Sequence, residues 1–492
     1  MSLIKIQNLT FSYDNSFDNI FDDVSFTIDT NWKLGFIGRN GRGKTTFLNL
    51  LMNKYEYRGK IITNVTFDYF PFELNNKKIN SYEIGYELNP NFEPWKLEKE
   101  TSLLDMETSI LERPFETLSK GEQTRILLAL LFIKDNNFLL IDEPTNHLDS
   151  EARKVVANYL KNKNGFILVS HDRKLLDSCV DHVLSINKTN IEIQQGNFST
   201  WWENKKRQDN FELEENEKLK KDISRLERSA KQSADWSNKK EQEKHTKRND
   251  IFIDTGWIGH RAAKLMKRSI SAKQLKEKAI EEKSKLLKNI EEIDDLNIKP
   301  LKNKTGNIIE VNNLEIKYNN KAIFSKVNFT INDGERIQLK GKNGCGKSSI
   351  IKLILGDNIT YNGTIFVPKN IKISYISQDT SHLKGTLSNY AKLNNIDETL
   401  FKTILRKLGF ERIQFDKNIE SYSEGQKKKV LVAKSLCEEA NLYIWDEPLN
   451  YIDVISRTQI EDLLLKHKPT MIFVEHDEIF SEKIATKIIE IK

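Results

Sequence analysis

Gly38, Gly43, Lys44 and Thr45 stand in the spacing G-x-x-x-x-G-K-[ST], and Gly341, Gly346, Lys347 and Ser348 repeat it. Each stretch follows a strand-like run (Leu34 to Ile37; Ile337 to Leu339) and precedes a helical one. That is the context in which glycines let backbone N–H groups at a helix N-terminus wrap a phosphate. The lysine then reaches the β and γ oxygens of a nucleotide, and the hydroxyl that follows it holds Mg²⁺. The expected cradles are Gly38, Asn40, Gly41, Gly43, Lys44, Thr45 and Thr46 in one copy, and Gly341, Asn343, Gly344, Gly346, Lys347, Ser348 and Ser349 in the other.

Two further pairs belong to the same chemistry. Phe138 to Ile141 lead into Asp142 and Glu143, and Leu442 to Trp445 lead into Asp446 and Glu447. At a strand end the first carboxylate suits a Mg²⁺ shell and the second can polarise an attacking water. Downstream, His171 and His476 each end an apolar strand and precede an aspartate, where an imidazole can meet a γ-phosphate. The reaction these residues suit is ATP hydrolysis with Mg²⁺.

The spacing of the pairs is itself informative. Gly38 recurs as Gly341, Asp142 as Asp446 and His171 as His476, at offsets of 303, 304 and 305 residues. Such constancy implies a duplicated α/β domain. The expected division is a first ATPase domain at 1–200, a linker at 201–300 and a second ATPase domain at 301–492. The linker has no proline before Pro300 and only Gly256 and Gly259, and it is rich in Glu, Lys, Leu and Ala. This predicts two antiparallel helices, the first from about Trp202 to His245 and roughly 65 Å long. Leu219, Ile223, Leu226 and Ala230 on one helix, and Ala272, Leu275, Ala279, Leu286, Ile290 and Ile293 on the other, predict a coiled-coil hairpin that projects beyond the cassettes. Its tip is expected near 246–262.

Charge concentrates in that linker. Between Lys218 and Lys278 there are 18 Lys and Arg against 8 Asp and Glu, so this segment carries +10 in a chain whose net charge is +6. The remainder sums to −4. Positive potential focused this way suits phosphate backbones. At the tip, Phe252 and Trp257 lie beside Arg261, Lys264, Lys267 and Arg268, a mixture that suits RNA; the apolar residues can equally pack on one another. With 38% hydrophobic and 30% charged residues, the 492-residue chain reads as globular. Its longest apolar run, Ile126 to Ile133, is far short of a bilayer span, and its start lacks the character of a signal peptide. Three widely spaced cysteines suggest neither a disulfide framework nor a zinc site. A cytoplasmic location is expected.

LSKGEQ, from Leu118 to Gln123, and YSEGQ, from Tyr422 to Gln426, lie just before the Asp-Glu strands and resemble the LSGGQ signature of ATP-binding cassette (ABC) proteins. That resemblance implies two tandem ABC-type P-loop domains joined by the hairpin and paired head to tail. Site one would combine Tyr13 (stacked on adenine), Lys44, Thr45, Asp142, Glu143 and His171 with Ser423, Gly425 and Gln426. Site two would combine Tyr318, Lys347, Ser348, Gln378, Asp446, Glu447 and His476 with Ser119, Gly121 and Glu122. Thr45 and Asp142, and Ser348, Gln378 and Asp446, would face Mg²⁺. Phe72 stands where the family's Q-loop glutamine is expected in the first half, so unequal turnover is expected.

The absence of a membrane span and the helical linker make the chain similar to ABC-F translation factors. Its tip segment, its DEPTNHLD and DEPLNYID motifs and its compact cassettes are most similar to the antibiotic-resistance ribosome-protection group of Lsa type. The resemblance implies a monomer that binds the ribosome, meeting large-subunit rRNA and P-site tRNA. It would insert its linker near the peptidyl-transferase centre and dislodge lincosamides, streptogramin A and pleuromutilins, with hydrolysis driving release. Alternatives are a factor that rescues stalled ribosomes without drug, the ATPase subunit of an exporter with separate membrane partners, and a DNA-associated tandem ATPase.

Overall fold

The computed structural model describes residues 2–13, 19–134, 137–146, 148–187, 191–246, 255–286, 296–302, 307–318, 321–324 and 326–491, with side chains in part of the two long helices and at residues 318, 321 and 322 left undescribed. The elements of the first half are β1 (Leu3–Phe11), β2 (Phe21–Asp29), β3 (Lys33–Ile37), α1 (Lys44–Leu51), β4 (Arg58–Ile62), β5 (Thr66–Phe70), α2 (Ser81–Leu88), α3 (Pro94–Leu103), α4 (Lys120–Phe132), β6 (Asn137–Asp142), α5 (Ser150–Lys161), β7 (Phe166–Val169), α6 (Arg173–Cys179), β8 (His182–Ile186) and β9 (Ile191–Gln195). Two long helices follow, α7 (Phe198–Thr246) and α8 (Thr255–Leu286). The second half runs β10 (Asn307–Tyr318), β11 (Lys321–Ala322), β12 (Val327–Asn332), β13 (Arg336–Lys340), α9 (Lys347–Leu355), β14 (Tyr361–Phe366), β15 (Ile373–Ile376), α10 (Leu387–Leu393), α11 (Glu398–Lys407), α12 (Glu424–Cys437), β16 (Leu442–Asp446), α13 (Val454–His467), β17 (Met471–Val474), α14 (Glu478–Ile484) and β18 (Lys487–Glu490).

The duplication is visible strand for strand. One sheet has the order β5-β6-β7-β3-β8-β9, parallel except for β9, and its counterpart has the order β15-β16-β17-β13-β18, parallel throughout. These strands are apolar runs because helices cover both faces: Phe166 to Val169 and Met471 to Val474 are buried at every position. A smaller antiparallel sheet packs beside each, β2-β1-β4 in the first half and β11-β10-β12 with β14 on β10 in the second. Alternating burial along β1, with Ile4, Ile6, Leu9 and Phe11 inside, seats it on the core that also holds Phe36 and Phe47. Both halves lie in one compact unit, residues 1–186, 191–199 and 293–492; residues 187–190 and 200–292 form the other.

Helix α7 spans 49 residues, about 74 Å at 1.5 Å per residue, and starts four residues before the expected Trp202. The expected tip at 246–262 changes more. Helix α8 begins at Thr255, so Trp257 and Ile258 occupy its first turn and not a loop. Gly256 and Gly259 do not break it there, since a glycine costs a helix only about 1 kcal/mol. Ala272 and Ala279 are half-buried as the stripe predicted, but Leu275 is 54% exposed and leaves that stripe. Ile223 and Leu219 are half-buried. Lys264, Lys267 and Arg268 are exposed on α8, the last two three and four residues beyond the first. Phe252, Ile290 and Ile293, and the side chains of Leu226, Ala230, Trp257, Arg261 and Leu286, lie outside the described residues. Among the described residues no helix is long and apolar enough to cross a membrane.

Candidate functional site

Four neighbouring parallel strands, in the order β5, β6, β7 and β3, present their carboxyl ends together, which is where open α/β sheets hold ligands. Tyr69 comes from the end of β5, Asp142 and Glu143 from the end of β6, His171 from just past β7, and the first P-loop from just past β3. Strands β15, β16, β17 and β13 deliver Tyr375 and Gln378, Asp446 and Glu447, His476 and the second P-loop in the same order.

Each P-loop turns through glycines in the left-handed region. Gly43 has φ 87°, and a Cβ there would lie 2.5 Å from Ile20 Cγ2, so glycine is required on two counts. Gly346 has φ 95° against Phe324. Lys44 Nζ donates to the carbonyls of Gly38 (2.6 Å) and Arg39 (3.1 Å), and Lys347 Nζ to those of Gly341 (2.7 Å) and Lys342 (2.8 Å). Both lysines are buried, and burial lowers the affinity of Lys44 for its proton despite nearby carboxylates. Thr45 Oγ1 donates to Asp142 Oδ2 at 3.0 Å. Ser348 likewise donates to Asp446, whose Oδ1 is buried without a partner. Each hydroxyl–carboxylate pair is a set of hard oxygens of the kind that holds Mg²⁺ together with substrate phosphates. Tyr13 is half-exposed beside α1, with its hydroxyl 2.8 Å from Thr46 Oγ1 and its ring edge-on to Phe11 and Tyr55. The side chain of Tyr318 is outside the described residues.

The two glutamates share one backbone feature. Glu143 and Glu447 have φ of 52° and 49°, a region that non-glycine residues enter at a cost, and their N–H groups donate to Val169 and Val474 carbonyls at 2.8 and 3.0 Å. Their side chains differ. Glu447 Oε2 accepts from Gln378 Nε2 at 2.8 Å and from Asn450 Nδ2 at 2.7 Å, while Oε1 is 3.5 Å from His476 Nε2. Burial opposes its ionisation, but His476, Gln378 and Lys428 outweigh that and bring its pKa down to about 2. Glu143 has neither donor set. Phe72 replaces the glutamine and Thr124 replaces the lysine, Glu143 Oε1 is buried without a hydrogen bond, and His171 Nε2 is 3.6 Å away. Burial and the adjacent Asp142 push the Glu143 carboxyl up to about 8. His171, buried next to Lys44, is held well below the usual histidine range.

The halves also meet at these sites. Asn40 of the first P-loop donates to the Tyr451 carbonyl at 2.6 Å and lies 3.0 Å from His171 Nε2. A Cβ on Gly425 would sit 2.7 Å from Asn40 Nδ2 and 2.5 Å from Tyr451 O, so the second signature glycine touches the first P-loop. On the other side a cavity of about 840 Å³ is lined by Ser119 and Gly121 of the first half and by Asn343 to Ser349 (Cys345 apart), Gln378, Glu447 and His476 of the second. Ser119 and Ser423 cap α4 and α12, and Glu122 and Gln426 return the favour to their N–H groups at 2.7 and 3.0 Å. Those two side chains therefore act on their own helices.

Sequence reasoning missed three neighbours of these sites. Tyr69 donates to Asp142 Oδ2 at 3.0 Å; Asn450 holds Glu447; and Tyr451, at φ 63°, turns its carbonyl to Asn40. The repeat contained a signal for the first two, since Tyr69 recurs as Tyr375 and Asn146 as Asn450.

Comparison with known proteins agrees with this geometry. The ABC transporter family model matches residues 21–146 and 324–450, together just over half of the chain. The ATP-binding protein Uup of Buchnera aphidicola (subsp. Acyrthosiphon pisum) is 30% identical over 99% of this chain and 80% of its own length. The ribosome protection protein VmlR of Bacillus subtilis is 28% identical over 96% of this chain and 84% of its own. A solved structure titled as archaeal ribosome recycling factor aABCE1 with stalk protein aP1 shares the fold, with a TM-score of 0.63 at 18% identity over 98% of this chain and 87% of that one. Two tandem cassettes with paired P-loops, acidic strand ends and signature helices, and ABC-F proteins among the relatives, place this chain in the ABC family as an ATP-binding ATPase.

Proposed function

We propose that the chain is a cytoplasmic, ribosome-bound ATPase of the ABC-F kind whose linker reaches the large subunit near the peptidyl-transferase centre and P-site tRNA and dislodges lincosamides, streptogramin A and pleuromutilins. The observation that carries this reading is the match to a protein named for ribosome protection along nearly the whole chain, linker included. Exposed cations on the linker support it: Lys221, Arg225 and Arg228 follow one face of α7, and Lys264, Lys267 and Arg268 lie together on α8. In this reading 1–200 and 301–492 are the ATPase domains of a monomer, 201–300 is the ribosome-directed linker, and Phe252, Trp257 and Arg261 belong to its contact tip. The similarity of the tip segment and the DEPTNHLD and DEPLNYID motifs to the Lsa-type group supports the same reading.

Tyr13 and Tyr318 stack on adenine, Lys44 and Lys347 bind β and γ oxygens, and Ser119, Gly121, Ser423 and Gly425 complete the site of the opposite half. Mg²⁺ would supply positive charge to the phosphates when bound, and Thr45 with Asp142, and Ser348 with Asp446 and Gln378, would hold it through their oxygens. Glu143 and Glu447 accept the proton of the attacking water; His171 and His476 meet the γ-phosphate. With Gln378 and Asn450 holding an ionised Glu447, and Phe72 leaving Glu143 without a donor, site two is the faster site.

Expression in a susceptible host, scored against lincomycin, tiamulin and a streptogramin A, tests the function. Raised minimum inhibitory concentrations are expected; unchanged values refute drug protection. A ribosome-bound role without drug is the second reading, because the 30% identical relative is named only as ATP-binding. Ribosome binding with unchanged inhibitory concentrations would favour it.

A further inference from the structure

The faces by which the two halves meet differ in charge at equivalent positions. Arg173 of the first half corresponds to Glu478 of the second, and Ala157 of the first to Glu461 of the second. Arg173 Nη1 donates to Glu461 Oε2 at 3.3 Å, and Nη2 donates to Glu461 Oε1 and lies 3.5 Å from Asp477 Oδ2. The side chains of Arg173, Glu461 and Asp477 are 7%, 1% and 4% exposed. Across the same face Lys154 Nζ lies 2.7 Å from Glu478 Oε1, and Lys174 pairs with Glu478 Oε2. Within each half a further pair recurs, Arg153 with Asp172 at 3.3 Å and Arg457 with Asp477 at 3.0 Å, so this pair does not distinguish the halves.

A buried charge is tolerated only opposite a partner, and like charges brought together reject an assembly. Two first halves face to face would turn Arg173 toward Ala157 in place of Glu461 and toward Lys154 and Lys174, with Asp172 its one remaining opposite charge. Two second halves would turn Glu478 toward Glu461 and Asp477. Either way the buried Arg173–Glu461 pair is lost, Glu461 keeping only Lys483 of its own half at 3.0 Å, and charges of one sign are brought together.

We propose that Arg173, Lys154 and Lys174 against Glu461 and Glu478 are specificity residues that let a first cassette close only on a second cassette. The surface recognises the opposite half of the same chain and rejects a like half of another copy. Repulsion built into a wrong pairing is a recognised means of specificity, and the tether then makes the chain's own second half the favoured partner.

The test is ATP hydrolysis by the purified full chain, without ribosomes, so that its outcome is independent of any action on translation. Arg173→Glu and Glu461→Arg each place like charges together and should lower activity about tenfold or more, while the combined charge swap should recover it to within about threefold. Lys174→Glu and Glu478→Lys repeat the cycle at an exposed pair whose loss spares the core, and circular dichroism confirms that each variant is folded. Light scattering with ATP should find wild-type protein as monomer. The proposal is overturned if Arg173→Glu and Lys174→Glu hydrolyse ATP as wild type does, if both swaps are no better than their single variants, or if wild-type chains associate through like halves.

Discussion

Replacing Glu447 with Gln leaves Glu143 as the one remaining water-polarising carboxylate, and replacing Glu143 with Gln leaves Glu447, so two variants read the two sites separately. Glu143 is raised to about 8, and its ionised, base-competent form is therefore gained as pH rises. Its ionised fraction climbs from about 3% at about pH 6.5 to about 76% at about pH 8.5, roughly a 25-fold increase. Glu447 is lowered to about 2 and is fully ionised throughout that range. Steady-state phosphate release should thus rise steeply with pH for Glu447→Gln and stay nearly flat for Glu143→Gln. Identical profiles for the two variants, or a steep one for Glu143→Gln, would refute the assignment of different environments to the two carboxylates.

Other outcomes follow from single contacts. Gln378→Leu removes a partly solvated donor worth about 1 kcal/mol to Glu447 and should slow site two about fivefold, whereas Phe72→Gln in the Glu447→Gln background should speed site one; phosphate-release assays check both. Asp453 accepts from Lys429 Nζ at 2.6 Å and caps α13 through Ser456 N–H at 2.9 Å, with side chains of the ion pair 1% and 3% exposed. Asp453→Asn should therefore cost about 3–5 kcal/mol in urea unfolding, and much less when combined with Lys429→Met. Replacing Phe252 and Trp257 with Ala should remove drug protection without reducing hydrolysis by the isolated protein, as inhibitory concentrations and ATPase rates measured together would show.

The sequence displayed what depends on local chemistry. A P-loop, an Asp-Glu strand end and a Ser-x-Gly helix start are contiguous, and duplication at offsets of 303 to 305 residues made each one corroborate the other. The strands behind them were legible because buried parallel strands are written as apolar runs, as at Phe138 to Ile141. What stayed hidden is long-range. Arg173 and Glu461 are 288 residues apart and neither stands in a motif, so only folding brings them together. Tyr451 carries its message in a backbone torsion and a carbonyl, which no residue pattern encodes. In the linker the apolar spacing was correct as a helical signal but overestimated burial, since the 3.6-residue period that aligns Leu275 with Ala272 and Ala279 does not by itself supply a partner surface. At its far end the tip expected near 246–262 includes residues that are already helical from Thr255.

Co-sedimentation of Glu143→Gln/Glu447→Gln protein with 70S ribosomes in ATP tests the account most directly. Both composite sites should close on ATP without hydrolysing it, and the protein should pellet with the ribosomes and stay there through a wash containing ATP. An ATP-loaded double variant that remains in the supernatant would contradict it.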